Sequence, residues 1–204
     1  MGAGCPGRRS LKIGVGVEGP SDRTFLSKIL HREFQGIQFD IRSMNNRDKL
    51  VRRAYDLTDA FRSLHYPFSV ILVDRDNDPC VSVTIDNFDR RVVTAARAPI
   101  VQRDVFICVA VVELEAWYLA DEEAIRLVIP GVPYSAPPET GHVGAEGMLR
   151  RLWIKSGQQG SPGGSKRGLA QAIGQHFDPQ RARRNSKSFA YFWDRVTAAV
   201  NAAS

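Results

Sequence analysis

The chain has 204 residues, of which 43% are hydrophobic and 25% charged, and its formal net charge is +6. Those proportions suit one globular domain, or a domain with an appended lobe, and exclude a disordered or fibrous chain. The longest strongly apolar run, Val105 to Val112, is far too short to span a bilayer, so no membrane association is expected.

Residues 1–10 are glycine-rich, carry Arg8 and Arg9 and lack an apolar segment, which predicts a disordered tail and no signal peptide. Cys5, Cys80 and Cys108 are scattered, as are His31, His65, His142 and His176, so neither a disulfide framework nor a structural zinc site is expected. The expected location is cytoplasmic.

Leu11 to Val17 (LKIGVGV) reads as a short apolar strand containing two glycines. Glu18 follows at its end, then a turn, with Ser21 as helix cap. Phe25, Leu26, Ile29, Leu30 and Phe34 recur at helical spacing. GVGVEG is not a dinucleotide fingerprint, because its last glycine leads into Pro20 before any helix has begun. Ile37 to Ser43 alternates apolar and polar residues, as a strand nearer an edge does. Asn45-Asn46 opens a helix with an apolar stripe of Leu50, Val51, Ala54, Leu57, Thr58, Phe61 and Leu64, and puts Arg47, Lys49, Arg52 and Arg53 on its exposed side.

Phe68 to Asp78 (FSVILVDRDND) is apolar on both alternating faces and then turns acidic at Asp74, Asp76 and Asp78. That is the pattern of a strand buried on both sides, as in a parallel sheet under helices. Ser82 to Ala98 predicts a helix burying Val83, Ile85, Phe88, Val92 and Val93. Val105 to Val112 is a fourth strand. The alternation argues for a parallel four-stranded sheet with helices on both faces. A helix is expected from Glu113 to Ile129, a loop over Pro130 to His142, a helix over Gly144 to Trp153 and a flexible Ser156 to Ser165. Final helices are expected at Lys166 to Phe177 and Ser188 to Ala202. The division is a tail over 1–10, an α/β domain over 11–121 and a helical extension over 122–204.

Charge follows that division. Ten Lys/Arg stand against Asp178 and Asp194 between Arg150 and Arg195, about +8, whereas residues 1–149 hold eighteen basic and twenty acidic residues. An acidic domain followed by a basic region suits a polyanionic partner. The segment Arg181, Arg183, Arg184 and Lys187 is expected to hold a nucleic-acid backbone. Phe189, Tyr191, Phe192, Trp193, Trp117 and Trp153 are assigned mainly to packing.

Carboxylates stand at or just after three strand ends: Glu18, the Asp74/Asp76/Asp78 set, and Glu113 with Glu115. In a parallel sheet these ends lie along one edge, so acids distant in sequence converge. If the extended backbone persists, Asp74 and Asp76 point the same way. Crowded carboxylates repel unless a cation lies between them, and hard oxygen donors suit Mg²⁺. Asp22, Asp78 and Asp121 also fit simple capping or turn roles.

Glu18-Gly19 after a first strand, with Asp74-x-Asp76 after the third, resembles the TOPRIM domain of topoisomerases, primases and OLD-family nucleases over residues 11–112. Glu113 to Asp121 (ELEAWYLAD) resembles small stand-alone TOPRIM-like bacterial proteins, often encoded beside ABC or AAA ATPases in phage-defence loci. The resemblance implies a TOPRIM-like Rossmannoid fold and a Mg²⁺- or Mn²⁺-dependent nuclease. DNA ranks ahead of RNA as its substrate, and an ATPase is the expected partner. Glu18, Asp74 and Asp76 would be catalytic metal ligands and Asp78 a further contact. Glu113 and Glu115 would serve a second metal, and Lys166 would stabilise charge. Two metals about 4 Å apart would support in-line hydrolysis of one phosphodiester. The alternative is a non-catalytic TOPRIM-like module that binds nucleic acid or an ATPase. A phosphotransfer receiver or an aspartate phosphatase fits less well, because their acidic pair follows the first strand rather than the third.

Overall fold

The computed structural model describes residues 11–96, 104–137, 139 and 144–203. The chain begins β1 (Lys12–Val17), α1 (Pro20–Glu33), β2 (Gln38–Ser43), α2 (Arg47–Ser63), β3 (Phe68–Asp74), α3 (Val81–Ala96) and β4 (Val105–Ala110). It continues through α4 (Glu115–Leu119), α5 (Glu122–Val128), α6 (Ala145–Lys155), α7 (Lys166–His176), α8 (Pro179–Asn185) and α9 (Lys187–Ala203). The strands form one all-parallel sheet in the order β2-β1-β3-β4, with β2 at an edge. The tail expected over residues 1–10, Arg97 and Ala98 of the third helix, and Pro138 and residues 140–142 of the loop lie outside the described residues.

The double-faced apolar pattern of β3 determines the layering. Val70 and Leu72 join a core with β1, α1 and the later helices, while Ile71 and Val73 face Leu50, Ala54 and Phe61 of α2 and Phe88 and Val92 of α3. Successive strand residues point to opposite faces, so an unbroken aliphatic run needs a helix layer on each side. The result is an α/β sandwich with C-terminal helices. Gly14 and Gly16 set the spacing on the α2 side. A Cβ at Gly14 would overlap the Phe61 ring, and one at Gly16 would lie 2.7 Å from Leu57 and 2.8 Å from Ile71. The absence of side chains there lets α2 rest directly on β1.

The helices after residue 121 share the core of α1 and the sheet. Arg32 at the end of α1 reaches the open carbonyls at the end of α7, donating to Gly174 O at 2.9 Å, to Gln175 O at 3.1 Å and to Phe177 O. Trp117 packs against Phe189 and Phe192 and donates its indole N–H to Ser188 Oγ at 2.8 Å. Phe189, Phe192 and Trp193 are buried, as a packing role requires, while Tyr191 is exposed. No helix among the described residues is long and apolar enough to cross a membrane.

Several sequence expectations are corrected. Leu64 and Val93 are exposed, at the end of α2 and on the outer side of α3. The helix expected through Ile129 breaks at Ala120, because Asp121 takes an extended conformation and caps α5 through Glu123 N and Ala124 N. Within the segment expected to be flexible, Pro162–Gly164 forms a 3-10 turn leading into α7. The basic segment after Phe177 is itself a helix, α8, capped by Asp178.

Replacing Gly14 or Gly16 with valine should lower stability by about 1–3 kcal/mol, the range for overfilling a packed interior. For a chain of this size that is a fall in Tm of roughly 2–4 °C per kcal/mol. Thermal unfolding followed by circular dichroism measures it, and an unchanged Tm in both variants would refute the packing role of these glycines.

Candidate metal centre

The chain leaves β1 for β2 on one side and then returns across β1 to β3 on the other. The carboxyl ends of β1 and β3 therefore flank the topological switch point, the crevice where open α/β sheets bind ligands. Glu18 and Asp74 stand there, and Glu18 Oε1 accepts the Asp74 backbone N–H at 3.1 Å. Asp22, in the first turn of α1, is buried and accepts the Gly19 N–H at 2.7 Å and the Ser21 hydroxyl at 3.2 Å. Glu115 opens α4 after β4 and is buried too.

These four carboxyls act on one another. Burial raises Glu18 to about 7, against the opposing pull of the Asp74 N–H and Arg47 and helped by Asp76 and Asp22. Burial raises Asp74 well above the carboxylate range, and Glu18, Asp22, Glu115 and Asp76 push it further. Asp22 is raised by burial, and Glu115 is raised by burial to about 7 despite Lys166. Among the described residues no Lys or Arg stands within ion-pairing distance of Glu18, Asp22 or Asp74. Tyr118 lies beside them, buried, its hydroxyl without a hydrogen-bond partner among the described residues. Burial, then Glu115, Asp22 and Asp74, raise the phenol as well.

The other expected acids divide into two wings. Asp76 does not continue the strand. Its φ is +51°, in the left-handed region that aspartate tolerates better than most residues, so it does not share the direction of Asp74. It is half exposed and pairs with Arg47 Nη1 at 2.7 Å, while Asp78 pairs with Arg47 Nη2 at 3.2 Å and accepts Asn87 Nδ2 at 3.0 Å. Although burial pushes Asp78 up, those hydrogen bonds hold it below its ordinary value. Arg47 is thus drawn into the site rather than standing on the outer side of α2. On the opposite wing Glu113 Oε1 accepts the Glu146 N–H at 2.9 Å, capping α6. Lys166 Nζ lies 2.7 Å from Glu146 and 3.6 Å from Glu115. Val112, just before Glu113, has φ +69°, and its carbonyl accepts the Asp76 N–H at 2.8 Å. A β-branched residue there is a strained outlier, and such strain concentrates at functional sites.

The site thus joins Glu18, Asp74 and Glu115 as expected, adds Asp22, Tyr118, Arg47 and Glu146, and turns Asp76 and Asp78 aside. Asp22 had a legible signal: an acid in the first helical turn, four residues beyond a strand-end acid, returns to the same sheet edge. The expected nucleic-acid segment lies elsewhere. Arg181 pairs with Asp121 at 2.7 Å and with Asp178 at 3.2 Å, and Arg183 pairs with Asp194 at 2.6 Å. Arg184 and Lys187 have no acidic partner among the described residues.

Among the described residues no three Asp, Glu, His or Cys side chains stand close enough to share one ion as they lie. The donor chemistry nevertheless fits a hard divalent cation. The donors are carboxylates only, they come from three strand ends, and three of them lack a paired cation. Convergence of these carboxylates on one ion therefore requires side-chain rotation.

The raised carboxyls also set the sign of a pH effect. Between the ordinary glutamate value of 4.5 and about 7, folded Glu18 and Glu115 hold protons that the unfolded chain has lost. Stability therefore falls as pH rises through this window. Asp78, held low, contributes stability that is lost only at more acidic pH. A bound divalent cation relieves the same repulsion, so the rise in Tm produced by Mn²⁺ should be larger at about pH 8 than at about pH 5. A Mn²⁺ effect that is absent, or equal at both pH values, would refute a cation site built from these acids.

No curated protein and no solved structure matches the chain. A family model spans residues 17–197, opening one residue before Glu18 and closing within α9. It takes in every acid of the cluster, and the chain belongs to the family it describes, "Domain of unknown function (DUF4276)".

Proposed function

We propose that this protein is a Mg²⁺- or Mn²⁺-dependent nuclease that hydrolyses phosphodiester bonds of nucleic acid. The observation that carries the reading is the cluster of Glu18, Asp22 and Asp74 at the switch point, where no Lys or Arg among the described residues stands within ion-pairing distance, with Glu115 beside it. Carboxylates of one sign, buried as Asp22 and Glu115 are or half-buried as Glu18 and Asp74 are, are costly in a fold unless they have a cation to bind or a proton to move.

Glu18 and Asp74 are assigned to the ion, with Asp22 and Glu115 completing its surroundings. When bound, a divalent cation supplies Lewis-acid polarisation of a phosphodiester and neutralises its charge. The chain's own groups do the rest. Glu18, raised to about 7, lies in the range where a carboxylate exchanges protons at neutral pH. Lys166 is the cation tied to the cluster, through Glu115 and Glu146, and meets negative charge on a phosphate at that wing. Arg47 holds Asp76 and Asp78 until anionic ligands compete for it. The resemblance to stand-alone TOPRIM-like proteins extends the proposal to a partner ATPase of ABC or AAA type and to phage defence.

One observation favours a second reading. Asp76 and Asp78 are neutralised by Arg47, which suits a TOPRIM-like module that binds nucleic acid or an ATPase without cutting. Glu18→Gln and Asp74→Asn separate the two readings. Under the nuclease reading each lowers Mn²⁺-dependent DNA cleavage by about a hundredfold or more. Asp74→Asn should also raise the metal-free Tm, because it removes a repelling charge. Cleavage at the wild-type rate in both variants would rule out this active site. No cleavage by the wild type, with or without its ATPase, would leave the binding module.

A further inference from the structure

Two clefts adjoin the acid cluster at the carboxyl ends of β1 and β2, and they share Ser43 and Asn45. One, of about 450 Å³, runs between α1 and the start of α7 and presents Arg23, Lys28 and Arg167. The other, of about 550 Å³, follows the first turns of α2 and presents Lys49, Arg52 and Arg53. All six side chains are exposed, and none has an acidic partner among the described residues. Neither cleft is lined by a described Asp or Glu. This distinguishes them from the larger cleft between α2 and α3, about 740 Å³, whose Arg47 and Arg91 are paired with Asp76, Asp78 and Asp48.

The placement couples this groove to the acids. Pro20, two residues after Glu18, lines the first cleft, and Ser43 Oγ donates to the Glu18 carbonyl at 3.5 Å. Arg167 is the residue after Lys166, which pairs with Glu115. Lys49, Arg52 and Arg53 are spaced i, i+3, i+4 and so share one helix face.

We infer that this double cleft is the track for the sugar-phosphate backbone of a nucleic-acid strand, leading one phosphate to the acid cluster. The inference rests on the nucleic-acid reading above but is independent of whether the chain cuts. Unpaired, acid-free cations joined by the neutral polar side chains of Ser43, Asn45 and Gln171 make the kind of surface that positions phosphates without reading sequence. A thread-like anion also fits the geometry better than a membrane. The groove is concave, and the neighbouring acids would repel an extended anionic sheet, whereas a strand presents them with single phosphates. The α8 segment suits the role less, because Arg181 and Arg183 already neutralise Asp121, Asp178 and Asp194, and the cleft that Arg184 lines also carries Glu122 and Glu123.

The test is binding of fluorescein-labelled DNA, duplex and single-stranded, to the full chain in EDTA, followed by anisotropy between about 50 and 200 mM salt. The double variants Arg52→Gln/Arg53→Gln and Arg23→Gln/Arg167→Gln should each weaken binding by about tenfold or more. Each should also reduce the slope of log affinity against log salt by about 2, one for every phosphate no longer neutralised. Arg184→Gln/Lys187→Gln should bind as the wild type does. Circular dichroism and an unchanged Tm exclude misfolding of these surface variants. Wild-type affinity and slope in both groove variants would overturn the inference, as would a weakening confined to the α8 variant. It would equally be overturned by a wild type that binds no DNA, or by groove variants that lose only binding to phosphatidylserine vesicles. The nuclease reading fails separately, on cleavage persisting in Glu18→Gln and Asp74→Asn, whatever the groove variants bind.

Discussion

Electrostatic repulsion among carboxyls at the end of a buried sheet is the constraint around which this fold is arranged. Glu18, Asp22, Asp74 and Glu115 are raised primarily by burial and secondarily by one another. The burial follows from the packing. β3 must be apolar on both faces because α2 and α3 cover one side and the core of α1 the other, so its terminal Asp74 emerges from the least polar part of the molecule. The same layering puts β1 beside β3, which brings Glu18 close enough to accept the Asp74 N–H. Each helix that stabilises the sheet therefore deepens the electrostatic problem at its edge.

The surroundings relieve that problem only in part. Arg47 takes up Asp76 and Asp78, and Lys166 takes up Glu115 and Glu146. Between these wings Glu18 accepts the Asp74 backbone N–H, and Asp22 accepts the Gly19 N–H and the Ser21 hydroxyl. Hydrogen bonds to a carboxylate lower its pKa, yet here they are outweighed by desolvation. A fold that served stability alone would place an arginine or a neutral side chain among these acids. The left-handed backbone at Asp76 and Val112, joined by a hydrogen bond across the ends of β3 and β4, adds local strain at the same point.

How much of this was legible in the sequence depended on the range of the interaction involved. The strands, their parallel direction and the convergence of Glu18 with Asp74 on one sheet edge follow from period-two burial and from the β-α alternation, whereas the strand order was not read from the sequence. Asp121 was readable as a cap, but its second role was not. It also accepts Asp178 N at 2.6 Å and pairs with Arg181, sixty positions on, and that fastens α8 to α5. The turn of Asp76 toward Arg47 was equally hidden, because it depends on a φ of +51° at one residue rather than on any periodic pattern. Apolar spacing alone also overstated burial: Leu64 sits at the C-cap of α2, where the helix ends, and Val93 lies on the outer side of α3 although its neighbour Val92 is buried.

Net charge proved the least local signal. The basic excess after Arg150 points to a polyanion but does not locate it, since charge counts do not register pairing. Arg181 and Arg183 belong to that excess and are engaged with acids of the chain itself. The acidic first 149 residues, by contrast, contribute Arg23, Lys28, Lys49, Arg52 and Arg53, cations without acidic partners among the described residues that line clefts beside the carboxyl cluster. A phosphate approaching acids of raised pKa meets repulsion unless neighbouring positive charge offsets it within about a Debye length, about 8–10 Å at ordinary salt. Arg167 and Arg23, on either side of that cleft, belong to α7 and α1, the two helices whose packing Arg32 secures. The contact that fastens the C-terminal helices to the sheet domain thereby also aligns the cations that would offset the acids.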